Sequence, residues 1–344
     1  MTTALVTGGA GFIGSALVRH LTATGVRVVN VDKLTYAGSL DSLAALAGSP
    51  LHTHRKVDII DRAALAAIFR AERPSCVYHL AAESHVDRSI SDPSPFITTN
   101  VVGTHVLLAA SLAYYQSLDP VARARFRFLH VSTDEVYGSL GPTGAFTEQS
   151  PYQPNNPYAA SKAASDHLVR AWHHTYGLPT LITNGSNNFG PWQFPEKLVP
   201  VVLRNAMRGM PIPVYGSGEN VRDWLYVDDH VSALEQVMAR GRPGETYNVG
   251  SHNDRTNLAL VQLLCDRLDA LAPSLTVPRR RDLIAFVDDR LGHDFRYAID
   301  PSKIEREIGW RPRASFEATL DATVRWYLEH VEWCERMEER ARAR

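Results

Sequence analysis

Two short stretches of this sequence carry side chains able to move protons, at spacings that let them work together: Val131-Ser-Thr-Asp-Glu-Val-Tyr-Gly138 and Tyr158-Ala-Ala-Ser-Lys162. Tyr158 and Lys162 are four apart in a segment that reads as a helix, so both face one way. A tyrosine ionises at about 10, too high for a useful base, but a neighbouring ammonium lowers that value toward the working range. Such a pair can take a proton from a hydroxyl group. Thr133 adds a hydroxyl, and Asp134 with Glu135 supplies two adjacent carboxylates, the usual means of dividing acid from base work when their surroundings differ. The apolar run Phe126-Arg-Phe-Leu-His-Val131 reads as a buried strand. Ser132, Thr133, Asp134 and Glu135 then fall at its carboxyl end, where open α/β sheets hold ligands.

A lone Tyr-x-x-x-Lys is more often a surface tyrosine beside a solvated lysine, and the start of the chain changes that balance. The strand Thr3-Ala-Leu-Val-Thr7 runs into Gly8-Gly-Ala-Gly11-Phe-Ile-Gly14, after which Ile13, Leu17, Val18 and Leu21 recur at helical spacing until Gly25. Glycines three apart permit a tight turn, a close approach to a pyrophosphate, and packing of a helix whose amino terminus faces the phosphates. The second strand, Val26-Arg-Val-Val-Asn-Val31, ends in Asp32, where a carboxylate accepts the adenosine ribose hydroxyls. That carboxylate repels a 2′-phosphate, which favours NAD over NADP, although Lys33 and Arg27 could soften the repulsion.

The alternation continues through His54-Arg-Lys-Val-Asp58, a helix from Asp61, the strand Ser75-Cys-Val-Tyr-His-Leu80 and a helix from Pro95 to Leu118. Repeated βα order implies a parallel sheet with helices on both faces. Asp58 and Leu80-Ala-Ala-Glu-Ser84 follow strand ends and should line the cofactor groove, Ala81 and Ala82 being small enough for close backbone approach. The segment from Ser117 to Arg125 reads as a polar surface excursion. The expected fold class is α/β: a doubly wound parallel sheet of Rossmann type with a smaller mixed α/β carboxyl-terminal lobe. The expected division is 1–184 for cofactor and the Tyr/Lys helix, 185–335 for an intertwined substrate lobe, and 336–344 for a polar, disordered tail.

The 344 residues carry a net charge of −1 without runs of one sign, which argues against a nucleic-acid or anionic-lipid surface. Arg279-Arg-Arg281 is read as a solvated face. Cys76, Cys265 and Cys334 show neither disulfide nor zinc spacing, so no metal is expected and a reducing, cytoplasmic setting fits. No leader is evident, and no apolar run is expected to reach the ~18 residues a membrane span requires.

Thr7-Gly-Gly-Ala-Gly-Phe-Ile-Gly14, Ala81-Ala-Glu-Ser-His-Val-Asp87, Ser132-Thr-Asp-Glu-Val-Tyr-Gly138 and Tyr158-Ala-Ala-Ser-Lys162 together resemble the extended short-chain dehydrogenase/reductases. More narrowly, the chain looks like the dTDP-glucose 4,6-dehydratases of the bacterial rhamnose type, from Thr3 to about Trp333. The likeness takes in Ser186-Asn-Asn-Phe-Gly-Pro-Trp-Gln-Phe-Pro-Glu-Lys-Leu198, Val221-Arg-Asp-Trp-Leu-Tyr-Val-Asp-Asp-His230 and Asp289-Arg-Leu-Gly-His293. Thr-Asp-Glu after the strand is the specific part, since epimerases and decarboxylases of the superfamily typically lack the acidic pair. Gly185, Phe189, Trp192 and Leu291 depart from the family's usual cysteine, tyrosines and proline, and put substrate preference in question.

The resemblance implies NAD as cofactor, held by Gly8, Gly11, Phe12, Ile13, Gly14, Asp32, Lys33, Leu34, Thr35, Asp58, Ile59, Leu80, Ala81, Ala82, Ser84, Thr99, Tyr158, Lys162 and Asn188. It implies a nucleotide-sugar partner, dTDP-glucose, met by Ser84, Thr133, Asn187, Lys197, Leu198, Pro213, Tyr215, Arg222, Asn257, Arg290 and His293. Lys197, Arg222 and Arg290 are the cations expected at the diphosphate, because a guanidinium fork suits phosphate oxygens, and Tyr215 can stack on the base. A homodimer is also implied, with helices from Pro95 to Leu118 and Asn156 to Tyr176 forming a four-helix bundle through Val106, Leu107, Leu168, Val169 and Trp172.

The chemistry accounts for the residues independently. Water leaves C5 and C6 of a hexose reluctantly because the C5 hydrogen is not acidic; oxidation at C4 makes it so. Tyr158 would take the 4-hydroxyl proton with Thr133 bonded to the same oxygen, Glu135 the C5 proton, and Asp134 would protonate the departing 6-hydroxyl. Two other readings stay open: a nucleotide-sugar 4-epimerase or decarboxylase, against which Asp134 and Glu135 count, and a non-catalytic NAD sensor, against which Tyr158 and Lys162 count.

Overall fold

The glycine turn sets the first unit. In the computed structural model, which describes residues 2–342, strand β1 (Thr3–Thr7) passes through it into helix α1 (Phe12–Ala23). Gly8 has φ 72°, and a Cβ there would lie 2.6 Å from the Ala81 nitrogen, so only glycine lets the two strand ends meet this closely. Gly11 occupies the α1 N-cap without any side-chain cap, leaving the helix's first N–H groups open toward the groove.

The alternation then runs through β2 (Arg27–Val31), β3 (His52–Arg55), α2 (Arg62–Glu72) and β4 (Cys76–His79). After α3 (Val86–Ser91), the short α4 (Ser94–Phe96), a π-helical turn (Ile97–Gly103) and α5 (Thr104–Ser117) run on as one helix. The widened turn aims Asn100 inward, where its amide donates to Glu83 O at 3.0 Å and Ser161 Oγ at 2.8 Å, tying the loop after β4 to the catalytic helix. Helix α6 (Pro120–Arg125) precedes β5 (Arg127–Thr133), which ends in a 3₁₀ turn at Asp134–Tyr137. Helix α7 (Pro157–Tyr176) follows, and β6 (Thr180–Gly185) completes this half. Asn156 caps α7 by accepting from Ala159 N at 2.8 Å, Pro157 opens it, and Gly177 ends it at φ 69°.

The remainder comprises β7 (Asn187–Phe189), α8 (Leu198–Met207), β8 (Ile212–Tyr215), β9 (Val221–Tyr226), α9 (Val227–Arg240) and β10 (Thr246–Val249). Then come β11 (Asp254–Thr256), α10 (Asn257–Leu271), β12 (Ile284–Val287), α11 (Ser302–Ile308), α12 (Phe316–Glu329) and α13 (Val331–Arg342). Seven parallel strands form the main sheet in the order β10-β6-β5-β4-β1-β2-β3. The winding direction reverses between β1 and β4, and the crevice outside those strand ends is where such sheets bind dinucleotides.

Both faces are dry. Ala4, Val6, Leu129 and Leu181 bury against α1 and α9 on one side; Leu5, Val77, Phe128 and Ile182 bury against the α2, α5 and α7 side on the other. Each of these side chains larger than alanine contributes about 1.5–3 kcal/mol by leaving water, so the strand-end loops sit on a rigid base. The smaller lobe closes over its own core of Phe194, Val202, Trp224, Leu264, Leu320 and Trp333, between a three-stranded sheet (β11-β9-β7) and a two-stranded one (β12-β8).

Several expectations need correction. The central strand extends to Thr133, and the third strand lies at His52–Arg55, short of Asp58. Ser117 to Arg125 is no loose excursion: Asp119 accepts from Val121 N and Ala122 N and caps α6. Strand β10 joins the main sheet, and α9 packs on α1, so residues beyond 185 help build the cofactor half. The expected disordered tail is helical as far as Arg342, with Met337 buried and Glu338 paired with Arg208 at 2.9 Å; Ala343 and Arg344 lie outside the described residues. Among the described residues one helix, Ser94–Ser117, is long and apolar enough to cross a membrane, contrary to the expectation of none, yet half of its apolar window is buried inside this fold.

Candidate active site

One continuous cavity runs from the glycine turn to the end of β5 and holds Gly8, Gly11, Asp32, Asp58, Ala81, Ser84, Thr133, Asp134, Glu135, Tyr158, Lys162, Asn187, Asn188 and Lys197. Phe12, Ile13, Gly14, Lys33, Thr35, Ile59, Leu80, Ala82 and Thr99 line it too; Leu34 does not. Leu34 adopts φ 58° and gives its N–H to Asp32 Oδ1 at 2.8 Å, so it shapes the acidic side chain instead. Asp32 Oδ2 accepts from Ala10 N at 3.0 Å, which fixes both carboxylate oxygens at the end of β2. The cations expected to soften its charge are engaged elsewhere: Lys33 Nζ lies 3.2 Å from Asp58, and Arg27 pairs with Glu72 at 2.6 Å. The groove therefore fits NAD: an uncapped helix terminus for phosphates, small residues beneath, and an acid with no spare cation for a 2′-phosphate.

At the other end, Thr133 closes β5 and the 3₁₀ turn directs Asp134 inward. Burial, then the charge of Glu135, pushes the Asp134 carboxyl well above its usual range, toward the protonated form. Burial raises Glu135 as well, opposed by Arg222 and Lys197. Thr133 Oγ1 donates to Asp134 Oδ1 at 3.3 Å, and Asn156 Nδ2 to Glu135 Oε2 at 3.4 Å.

Tyr158 corrects a physical expectation. Burial and the neighbouring Glu135 push its phenol up, not down. The Lys162 ammonium turns to Val131 O at 2.9 Å and His130 Nε2 at 3.2 Å, and burial lowers it to about 8. In a desolvated site the cost of a bare phenolate outweighs the help of one cation directed elsewhere.

The substrate residues divide into two groups. Ser84, Thr133, Asn187 and Lys197 face the cavity, Lys197 Nζ donating to Ser84 O at 2.8 Å. Leu198, Pro213, Tyr215, Arg222, Asn257, Arg290 and His293 are not among the residues lining it. Arg290 lies over the Tyr215 ring at 5.1 Å, with the His293 ring 6.3 Å from the same tyrosine. Arg222 is buried, and its fork donates to the carbonyls of Val221, Asp294 and Phe295 while lying over Tyr297 at 4.2 Å. Nη1 and one N–H of Nη2 are thereby engaged with backbone, and the charge of the group acts on Asp134 and Glu135. Pro213 sits on β8, Leu198 opens α8 and Asn257 opens α10.

Sequence reasoning missed Glu196 and His230. Tyr36 OH donates to Glu196 Oε1 at 2.9 Å, joining the loop after β2 to the substrate segment. The Asn188 amide donates to Ser186 O at 2.9 Å, so its Oδ1 accepts from His230 Nδ1 at 2.9 Å. His230 is neutral, burial lowering it to about 4, and its Nε2 faces Gly185, where a Cβ would meet the ring at 2.9 Å. The departure at 185 thus makes room for an imidazole. The signal for Glu196 was its place beside Lys197; nothing local pointed to His230. Arg279, Arg280 and Arg281 pair with Asp282, Asp269 and Asp266; the outer two are exposed, whereas Arg280, contrary to a solvated face, is buried and donates from Nη2 to Ala272 O at 2.7 Å.

A doubly wound sheet with a dinucleotide crevice and a Tyr/Lys helix beside it defines an extended short-chain dehydrogenase/reductase. A family model described as GDP-mannose 4,6 dehydratase matches residues 5–323. The dTDP-glucose 4,6-dehydratase of Neisseria meningitidis serogroup B is 56% identical over 337 residues, covering 97% of this chain and 95% of its own length. The dTDP-glucose 4,6-dehydratase 1 of Escherichia coli is 53% identical over 339 residues, covering 96% and 93%. Among solved structures, the Streptomyces venezuelae dTDP-glucose 4,6-dehydratase DesIV with NAD bound superposes at a TM-score of 0.88, with 45% identity and coverage of 98% and 100%. A Thermotoga maritima UDP-glucose 4-epimerase follows at 0.83 and 29%, covering 96% and 100%. The chain belongs to the dTDP-glucose 4,6-dehydratase family.

Proposed function

We propose that this chain is an NAD-dependent hydro-lyase that converts dTDP-glucose to dTDP-4-keto-6-deoxyglucose and water. The observation that carries the reading is the meeting of Thr133, Asp134 and Glu135 with Tyr158 in the cavity that also contains the glycine turn. Bound NAD supplies the hydride acceptor and donor, and a positive charge beside the phenol. Tyr158 removes the 4-hydroxyl proton while Thr133 holds that oxygen. The C5 proton, made acidic by the C4 ketone, goes to Glu135. Asp134, protonated by its burial, gives its proton to the departing 6-hydroxyl. Hydride then returns to C6 and a proton to C5, leaving a 4-keto-6-deoxy sugar.

Lys197 and Ser84 meet the sugar side of the substrate, with Tyr215, Arg290 and His293 toward the nucleotide, which has to extend beyond the cavity. The test is incubation with dTDP-glucose and UDP-glucose separately. The characteristic alkali-induced absorbance of a 4-keto-6-deoxy sugar is expected from the thymidine compound; its absence from both, with recovery of the 4-epimer, would install the epimerase reading.

We infer further that the working form is a cytoplasmic homodimer. Three unpaired cysteines support the reducing setting. For the dimer, the expected contact residues need revision, since Val106, Leu107 and Val169 are buried in this chain's own core. The outward apolar surface on those helices consists of Ile97, Val102 and Tyr176, with Trp172 packed edge-on between His105 and Tyr176. Light scattering at micromolar concentration should give twice the 38.1 kDa chain mass, and Val102→Glu should reduce it to one.

A further inference from the structure

Behind the catalytic lysine lies a buried polar cluster that the reaction as described does not use. Lys162 and Asp166 stand one turn apart on α7, and His130 and Ser132 share one face of β5 opposite them. All four are buried, Asp166 completely. His130 Nε2 lies 3.2 Å from Lys162 Nζ, which hydrogen-bonds to it, and 3.2 Å from Asp166 Oδ1, which has no hydrogen-bond donor, so one ring nitrogen stands between an ammonium and a carboxylate. Asp166 Oδ2 accepts from Ser132 Oγ and from Tyr152 OH, each at 2.9 Å. Asn184 Nδ2 donates to the Tyr152 oxygen at 3.1 Å, which turns the phenolic proton toward Asp166. An oxygen given two donors is arranged to carry negative charge.

A single imidazole nitrogen holds either a proton or a lone pair. The lone pair is on Nε2, because Lys162 Nζ donates to it, as it also does to Val131 O. The ring proton then sits on Nδ1, and Asp166 Oδ1 lies 3.2 Å from Nε2 without a hydrogen-bond donor of its own. Two of the three ammonium N–H groups are thereby used, and the third is left for the cavity that Lys162 lines. Behind His130 stands His79, ring centres 5.0 Å apart, held by Thr7 Oγ1 and Thr104 Oγ1 at 2.8 Å each. Burial keeps both histidines uncharged, so Asp166 is the buried group of this cluster able to balance the lysine.

We propose that Asp166, packed against His130, is a positioning residue for the oxidation step: it is the buried counter-charge that stands across the imidazole from the Lys162 ammonium in a site without water. The inference rests on the reading of Tyr158 and Lys162 as the oxidising pair. The titratable groups facing Lys162 are His130 from β5, His79 from β4, Asp166 and Tyr158 from its own helix, and Tyr152 from the preceding loop. Asp134 and Glu135 stand on the cavity side beside Tyr158. An anion favours the protonated form of a neighbouring acid, so its removal makes Lys162 lose its proton at lower pH. Taken alone, loss of the direct effect of Asp166 on Tyr158 would make the phenol ionise at lower pH and raise activity in acid, so the two routes differ in sign.

The test is the pH profile of kcat for the holoenzyme with saturating dTDP-glucose. In the native protein kcat should fall as pH rises through about 8, where Lys162 deprotonates. In Asp166→Asn, which keeps the volume and the Ser132 and Tyr152 partners, the falling limb should move down by about one pH unit, with KM and bound NAD per chain unchanged. His130→Gln, which removes the ring that Lys162 donates to while keeping the Asp166 charge, should move it the same way by less, and carries the test if Asp166→Asn does not fold. Tyr152→Phe should leave the limb in place. A profile in Asp166→Asn parallel to the native one, at full or reduced height, would overturn the proposal. A native-like rate in Tyr158→Phe would remove the underlying reading instead, so the two failures are distinguishable.

Discussion

Replacing Tyr158 by phenylalanine is expected to lower kcat by about 10²–10⁴-fold, the usual range for loss of a positioned acid/base group. The protein should otherwise be unaltered. The ring's edge contact with Phe96, centroids 6.4 Å apart, and the bond from Tyr158 N to Ser89 Oγ at 3.3 Å both survive the change. What is lost is one hydroxyl in contact with Thr133, worth about 1 kcal/mol of stability. Bound NAD per chain and the melting temperature should therefore stay near native values while product formation collapses. A native rate would dismiss Tyr158 as the base.

What the sequence disclosed and what it concealed follow from how local each feature is. The turn from Gly8 to Gly14 and the acid at Asp32 were legible because they are backbone requirements written within a single βα unit. Tyr158 and Lys162 were legible because an i, i+4 pair needs only a helix. The strand ending at Thr133 was found, its start misjudged by one residue and its end by two, since Ser132 and Thr133 look like a loop until β6 is seen pairing with them. Long-range pairs were invisible. Tyr36 meets Glu196 across 160 residues, and Asn188 meets His230 across 42, through side chains that local pattern reads as surface or core. Arg222 was read from its chemistry alone; that its Nη groups meet three carbonyls depends on the segment 294–295 folding over it. The upward shift of Tyr158 belongs with these cases, because burial is set by the whole fold.

The sharpest test of the reaction order is the double variant Asp134→Asn with Glu135→Gln. Both replacements keep side-chain volume and hydrogen-bonding capacity, and they remove two carboxyls whose burial raises them, so the fold should not suffer. Tyr158 and Lys162 remain, and with them oxidation at C4. Elimination has lost both its base and its acid, so hydride cannot return to C6. Substrate should then bring up a reduced-nicotinamide absorbance that persists, with 4-keto-6-deoxy product down by at least about 10²-fold. The internal equilibrium at C4 can hold that absorbance low, so solvent deuterium is the firmer readout. Incorporation at C5 requires a base to lift the proton, and it should cease when Glu135 is replaced alone, whatever the oxidation level of the cofactor. Asp134→Asn alone should allow C5 exchange while blocking departure of the 6-hydroxyl, because the proton donor is the group removed. If C5 exchange and product both persisted in the double variant, the acidic pair would be a bystander at the end of β5, and the epimerase reading would have to be taken up in its place.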